Sequence, residues 1–281
     1  MNSFIEKILK ADPYIIAEIG VNHEGSMDKA KELIDLAKEG GADAVKFQSY
    51  KAEKIASRNS PYYWDIKEEP TRSQYDLFRK YDSFGETEYR ELHAYTGEQG
   101  IDFMSTPFDL EAVDFLDPLM PCFKIASADI TNLPLLKKIG STGKPVLIST
   151  GASNTDEIDA AVDILRNAGT EDIVLMHCVL NYPTKDGDAH LKMIAGLKDR
   201  YPGHMIGYSD HTVPDADMTC LTTAWLIGAK VIEKHFTFDK TLPGNDHYHA
   251  MDADDMKILL KKINQIKALL GEEKEKGPLE K

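Results

Sequence analysis

Three histidines and three aspartates fall within "EKHFTFDKTLPGNDHYHAMD", Glu233 to Asp252. Imidazole and carboxylate are the side chains that hold divalent ions and carry protons near neutral pH. His211 and His235 end two consecutive apolar runs, "HMIGYSDHT" and "AKVIEKHFT". Their separation is no zinc-finger pattern, but two imidazoles at neighbouring strand ends could share one divalent ion and leave positions open to water or substrate. His247 and His249, on a loop after Asp246, read as surface or supporting residues, and His23 and His177 carry no assignment.

A second group is cationic. Lys46 lies in "AVKFQSY" and Lys124 in "CFKIAS", where an unpaired ammonium is costly. Each needs an anionic partner, either a neighbouring carboxylate or a bound phosphate or carboxylate. Thr106, Ser127, Ser149 and Ser209 stand at the ends of similar runs. If those ends converge, the set makes a cradle for a small anion.

Convergence requires a fold that brings distant strand ends together. Eight short apolar runs alternate with amphipathic segments: Tyr14–Gly20, Ala44–Tyr50, Ile101–Phe108, Cys122–Ser127, Pro145–Gly151, Asp172–Val179, His204–Thr212 and Ala229–Thr237. Near-continuous apolar strands suit a parallel sheet covered by helices. Eight such units predict a single-domain α/β fold, a (β/α)8 barrel over residues 1–270, with its site at the C-terminal strand ends. All eight ends are polar: Glu18, Lys46 with Gln48, Ser105 with Thr106, Lys124 with Ser127, Ser149 with Thr150, His177, Ser209 to His211, and Lys234 with His235. Residues 51–84 form a long, aromatic, charged insertion, and long insertions of this kind tend to cover a site. Residues 271–281 read as a polar tail.

Composition sets the outer limits. The chain has 281 residues, 42% of them hydrophobic, and a net charge of −14. That charge argues against nucleic acid and anionic membranes as partners, though not against a small anion in a local basic pocket. Cys122, Cys178 and Cys220 are too few and scattered for a disulfide framework and read as buried, reduced thiols of a cytoplasmic protein. No apolar run approaches the length of a membrane span.

The motifs "AEIGVNHEGSMDKAKELIDLAKEGGADAVKFQSY", "STPFD", "FKIASAD", "VLISTGAS", "HCVLNYPT", "IGYSDHT" and "EKHFT", in this order from Tyr14 to His247, resemble the sialic acid (N-acetylneuraminate) synthase family. The resemblance implies a TIM barrel that condenses phosphoenolpyruvate with an N-acetylated amino sugar such as N-acetylmannosamine, as a manganese-dependent homodimer (magnesium or cobalt being alternatives). It implies phosphoenolpyruvate binding by Lys46, Thr106, Lys124, Ser127, Ser149 and Ser209, with Glu18, Lys46 and Lys124 catalytic. It implies metal ligation by His211 and His235, and sugar contacts by Gln48, Asp129, Tyr182 and Asp246.

Two positions depart from the family pattern: Ala128-Asp129 stands where Gly-Glu or Gly-Asp is common, and Leu180 where many members are polar. Both bear on which sugar is used. Many bacterial members continue into an antifreeze-like domain that sends an arginine into the partner's site. Here the sequence ends at "GPLEK", and weaker sugar binding is expected unless a separate cap supplies that arginine. Legionaminate or pseudaminate synthesis from a diacetamido hexose stays open. So do a synthase acting on a phosphorylated aldose and a non-catalytic sugar-binding barrel.

Overall fold

A computed structural model of the protein describes residues 2–272 except Asp65, Glu68 and Asn245, so the tail from 273 lies outside the described residues. Eight parallel strands form one nearly closed barrel: β1 Tyr14–Gly20, β2 Ala44–Ser49, β3 Asp102–Pro107, β4 Phe123–Ile125, β5 Val146–Ser149, β6 Ile173–Cys178, β7 Met205–Asp210 and β8 Val231–His235. The hydrogen-bonded order is β3-β2-β1-β8-β7-β6-β5-β4, so β3 and β4 flank a seam. There the Ser105 amide donates to Met120 Sδ at 2.9 Å instead of to a strand. The expected runs were all strands, each trimmed at its ends except the first.

The side chains of a strand alternate between faces, and that period of two builds two cores. Inward residues Ile16, Ala44, Met104, Cys122, Leu147, Val174, Met176 and Val231 cluster with Phe4, Ile5 and Ile8 of α1 (Ser3–Ala11), which plugs the floor of the barrel. Outward residues such as Val45, Phe103, Ile148, Leu175 and Ile232 pack beneath the surrounding helices. Those helices include α2 (Met27–Gly40), whose Ser26 cap accepts from the Lys29 amide. Gly207 of β7 sits where an added Cβ would lie 2.9 Å from the Val231 carbonyl, so glycine permits the close β7–β8 approach.

Among its described residues, the insertion after β2 includes helices rather than being a bare loop. It carries α3 (Ala52–Ile55) and α4 (Gln74–Tyr81). Trp64, almost fully buried, donates its indole N–H to the Glu69 and Thr71 carbonyls at 3.0 and 3.1 Å. Lys51 Nζ closes the base, donating to the Asp82 and Phe84 carbonyls at 2.6 and 2.9 Å. No helix among the described residues is long and apolar enough to cross a membrane.

Candidate active site

Where the inward series turns polar, it lines a cavity of about 730 Å³ at the C-terminal strand ends. Strand register sets the neighbours: Glu18 is level with Lys46 on one side and His235 on the other, Gln48 with Thr106, and Ser209 with Glu233. The expected residues Glu18, Lys46, Gln48, Thr106, Lys124, Ser127, Asp129, Ser149, Tyr182, Ser209, His211, His235 and Asp246 all line this one cavity.

At its floor the two lysines are buried and paired. Lys46 Nζ contacts Glu18 Oε2, donates to Thr106 Oγ1 at 3.0 Å and lies 3.8 Å from Glu233 Oε2. Lys124 Nζ is 3.3 Å from Glu233 Oε1, which also accepts from Ser209 Oγ at 3.0 Å. Of the two partners left open by the sequence, the neighbouring carboxylate is therefore present for both lysines. The Ser149 hydroxyl is buried with no hydrogen-bond partner among the described residues. Ser127 Oγ accepts from the Gly151 amide at 2.9 Å, and a Cβ at Gly151 would come within 2.8 Å of that oxygen. The ammonium groups, the free Ser149 hydroxyl and the glycine-backed Ser127 form a compact donor set for an anion.

The two carboxylates are held in opposite states. Burial pushes the Glu18 pKa up to about 7, helped by the Glu233 charge and opposed by Lys46. Burial also raises Glu233, but Lys124, Lys46 and Ser209 outweigh it and hold the group ionised, at about 2. Gln48 Nε2 donates to Glu18 Oε1 at 2.9 Å and fixes its orientation. An acid poised near neutrality beside a fixed anion is an arrangement suited to proton transfer.

Across the cavity, His211 and His235 stand with ring centroids 5.6 Å apart, and Tyr182 lies 4.1 Å from the His211 ring. His211 Nδ1 donates to the Val179 carbonyl at 2.9 Å, leaving Nε2 with a lone pair for a ligand. Burial holds His211 neutral, at about 4, and His235 further below its usual value. His235 Nδ1 is buried without a hydrogen bond, 3.9 Å from Asp246 Oδ2. Burial would raise Asp246, but His235 and His249 outweigh it and keep that carboxylate well below its usual range. Among the described residues no group of three His, Cys, Asp or Glu side chains stands at metal-holding geometry. The two neutral imidazoles fit an ion whose other positions face the cavity.

Several expectations need correction. His247 and His249 are not surface residues: they are 3% and 0% exposed. His247 Nδ1 meets Thr237 Oγ1 at 2.8 Å and the ring lines the cavity. His249 packs 5.0 Å from the His235 ring, behind the cavity wall, with Nε2 3.8 Å from Asp246 Oδ1. Ser105, Thr150, His177 and Lys234 do not reach the mouth, because period two turns them outward. Ser105 bonds Ser49, Thr150 the Met176 carbonyl, and His177 the Ala189 carbonyl, while Lys234 pairs with Asp210 at 2.6 Å. His23 stacks 4.2 Å from Phe84 and accepts from the Gly25 amide, a structural role. Cys122 and Cys178 are buried thiols, but Cys220 is only partly buried. Sequence reasoning missed Glu233, though its position two residues before His235 on one strand placed it on the same face.

Comparison with known proteins gives the same picture. The NeuB family model matches residues 33–275. The chain is 40% identical to an N,N'-diacetyllegionaminic acid synthase of Campylobacter jejuni over 92% of this chain and 77% of that protein. It is 35% identical to an N-acetylneuraminate-9-phosphate synthase of Drosophila melanogaster over 95% of this chain and 71% of that one. A crystal structure of an N-acetylneuraminic acid synthetase from Leptospira borgpetersenii, in complex with citrate, superposes with a TM-score of 0.83 at 33% identity, covering 95% and 87% of the two chains. With the barrel, the cavity and these matches in agreement, the chain belongs to the NeuB family.

Proposed function

We propose that this protein condenses phosphoenolpyruvate with the open-chain aldehyde of an N-acetylated amino sugar, giving a nonulosonic acid and inorganic phosphate. The observation that carries this reading is the pair of buried lysines beside the partnerless Ser149 hydroxyl, facing two neutral histidines across one cavity. Lys46 and Lys124 with Thr106, Ser127, Ser149 and Ser209 bind the phosphate and carboxylate of phosphoenolpyruvate. Gln48, Asp129, Tyr182 and Asp246 contact the sugar.

The enol π pair forms the new C–C bond to the aldehyde carbon, and the aldehyde oxygen takes up a proton. Positive charge develops at C2 of the enol unit, where the Glu18 carboxylate stabilises it. Glu18 then accepts a proton from the water that adds to C2. The C–O bond to phosphate breaks, phosphate leaves with the bonding pair, and a second proton loss makes the C2 ketone. Burial of the floor keeps other water from the cation. His211 and His235 would hold a divalent ion, manganese by preference, which when bound supplies Lewis-acid polarisation of the aldehyde. The proposal includes a homodimer working in the cytoplasm.

The relatives named above differ in product, one diacetylated and one phosphorylated, so the reading stops at the class of sugar. Phosphate release from phosphoenolpyruvate with manganese and a panel of amino sugars tests it. Release that depends on both sugar and metal, and is lost in His211→Ala, supports it. Absence of release with every sugar sinks it.

A further inference from the structure

The far side of the cavity differs from the floor in chemistry. Tyr50, Ile55, Leu77, Phe78, Tyr81 and Phe108, mostly from the insertion after β2, line it as one apolar wall. Tyr50 anchors the wall, edge-on to Phe78 at 5.6 Å and to Phe108 at 6.1 Å. Gln74, at the start of α4, also lines the cavity. Its Nε2 donates to the Pro61 carbonyl at 2.7 Å, which leaves its Oε1 to accept from an amide N–H.

The same side is poor in free positive charge. The described residues lining the cavity include three lysines and no arginine. Lys46 and Lys124 belong to the floor, where the proposed reaction already employs them. The third, Lys54, is held at the rim 3.5 Å from Asp109 Oδ1 and 2.7 Å from Glu111 Oε2. Asp129 and Asp246 add two carboxylates to the lining. A phosphate carried by the sugar would face these carboxylates with no cation uncommitted, and like charges brought together in a partly buried site repel strongly.

We infer that the sugar this cavity accepts is neutral and carries two acetamido groups, the second seated against the wall of Tyr50, Ile55, Leu77, Phe78, Tyr81 and Phe108 with its N–H at Gln74. The inference rests on the synthase reading above. An acetamido group offers both an apolar methyl to the wall and one donor to Gln74, whereas a hydroxyl in its place can donate to Gln74 but leaves the wall uncovered.

The test is phosphate release from phosphoenolpyruvate with manganese, using a neutral 2,4-diacetamido hexose, N-acetylmannosamine and N-acetylmannosamine 6-phosphate. Loss of a group that fills an apolar pocket costs about 10- to 200-fold in specificity. The diacetamido sugar is therefore expected to show a kcat/KM at least about 10-fold above both others. Phe78→Ala should raise the KM for that sugar and narrow its lead over N-acetylmannosamine while leaving the phosphoenolpyruvate KM unchanged. Ile55→Ala, which removes a smaller part of the wall, gives the same reading if Phe78→Ala fails to fold. Equal or better turnover of N-acetylmannosamine or of its phosphate overturns the inference and leaves the synthase reading standing. No release with any of the three overturns both.

Discussion

Lys124 Nζ lies 3.3 Å from Glu233 Oε1, and both groups are almost fully buried. The carboxylate that balances this lysine sits two residues before His235 on the same strand, so one short segment serves both sides of the cavity. Burying such a pair is tolerated only because each charge has a partner.

Replacing that lysine should separate binding from chemistry. Lys124→Met is expected to raise the phosphoenolpyruvate KM by about 10- to 100-fold, the loss of a hydrogen bond to a charged group. The sugar KM should change little. Steady-state kinetics with each substrate varied in turn checks this, and an unchanged phosphoenolpyruvate KM would remove Lys124 from the cradle.

The Glu18 carboxyl predicts a pH profile. Its pKa is raised to about 7, and the working form in the proposed reaction is the carboxylate. kcat/KM should therefore climb as pH rises through about 7 and level off above it. Glu18→Gln should flatten that limb and lower kcat by about 100-fold or more. Because the folded chain holds this proton more tightly than the unfolded chain does, the same group costs stability as pH rises from 4.5 to about 7. A profile in Glu18→Gln that keeps its rising limb would assign the limb to another group.

Metal binding can be measured apart from turnover. His211→Ala and His235→Ala are each expected to abolish stoichiometric manganese binding, read by the disappearance of free-ion signal in electron paramagnetic resonance titrations. Both variants should still bind phosphoenolpyruvate. Retention of manganese in both would place the ion elsewhere.

The outward pair Lys234–Asp210 is structural. Lys234 Nζ donates to Asp210 Oδ2 and to the Thr212 carbonyl, both at 2.6 Å. Lys234→Met leaves Asp210 as a lone buried charge, a loss of about 3–5 kcal/mol. Urea unfolding measures it, and adding Asp210→Asn should restore much of the loss. A cost below about 1 kcal/mol in the single variant would contradict the burial argument.

The barrel was legible because eight apolar runs with polar ends have few other solutions, and the lysines betrayed themselves as charges in apolar strands. Face assignment was harder. In "VIEKH" the period of two puts Glu233 on the face of His235 and turns Lys234 to the other. Only the register, with Glu18 level with His235 and Ser209 level with Glu233, shows that face to be the inward one. Glu233 and Lys234 thus exchanged apparent importance. His249 read as either surface or supporting because polar residues precede it, and its burial beside His235 leaves the second reading. The apolar wall was invisible in sequence, since the helix carrying Leu77, Phe78 and Tyr81 meets Tyr50 and Phe108 only in three dimensions.

The plug of Phe4, Ile5 and Ile8 closes the end of the barrel opposite the cavity. The lysines therefore lie toward the closed end of the cavity. The proposed reaction would seat the anion before the sugar, an order that initial-rate kinetics with a dead-end inhibitor would read.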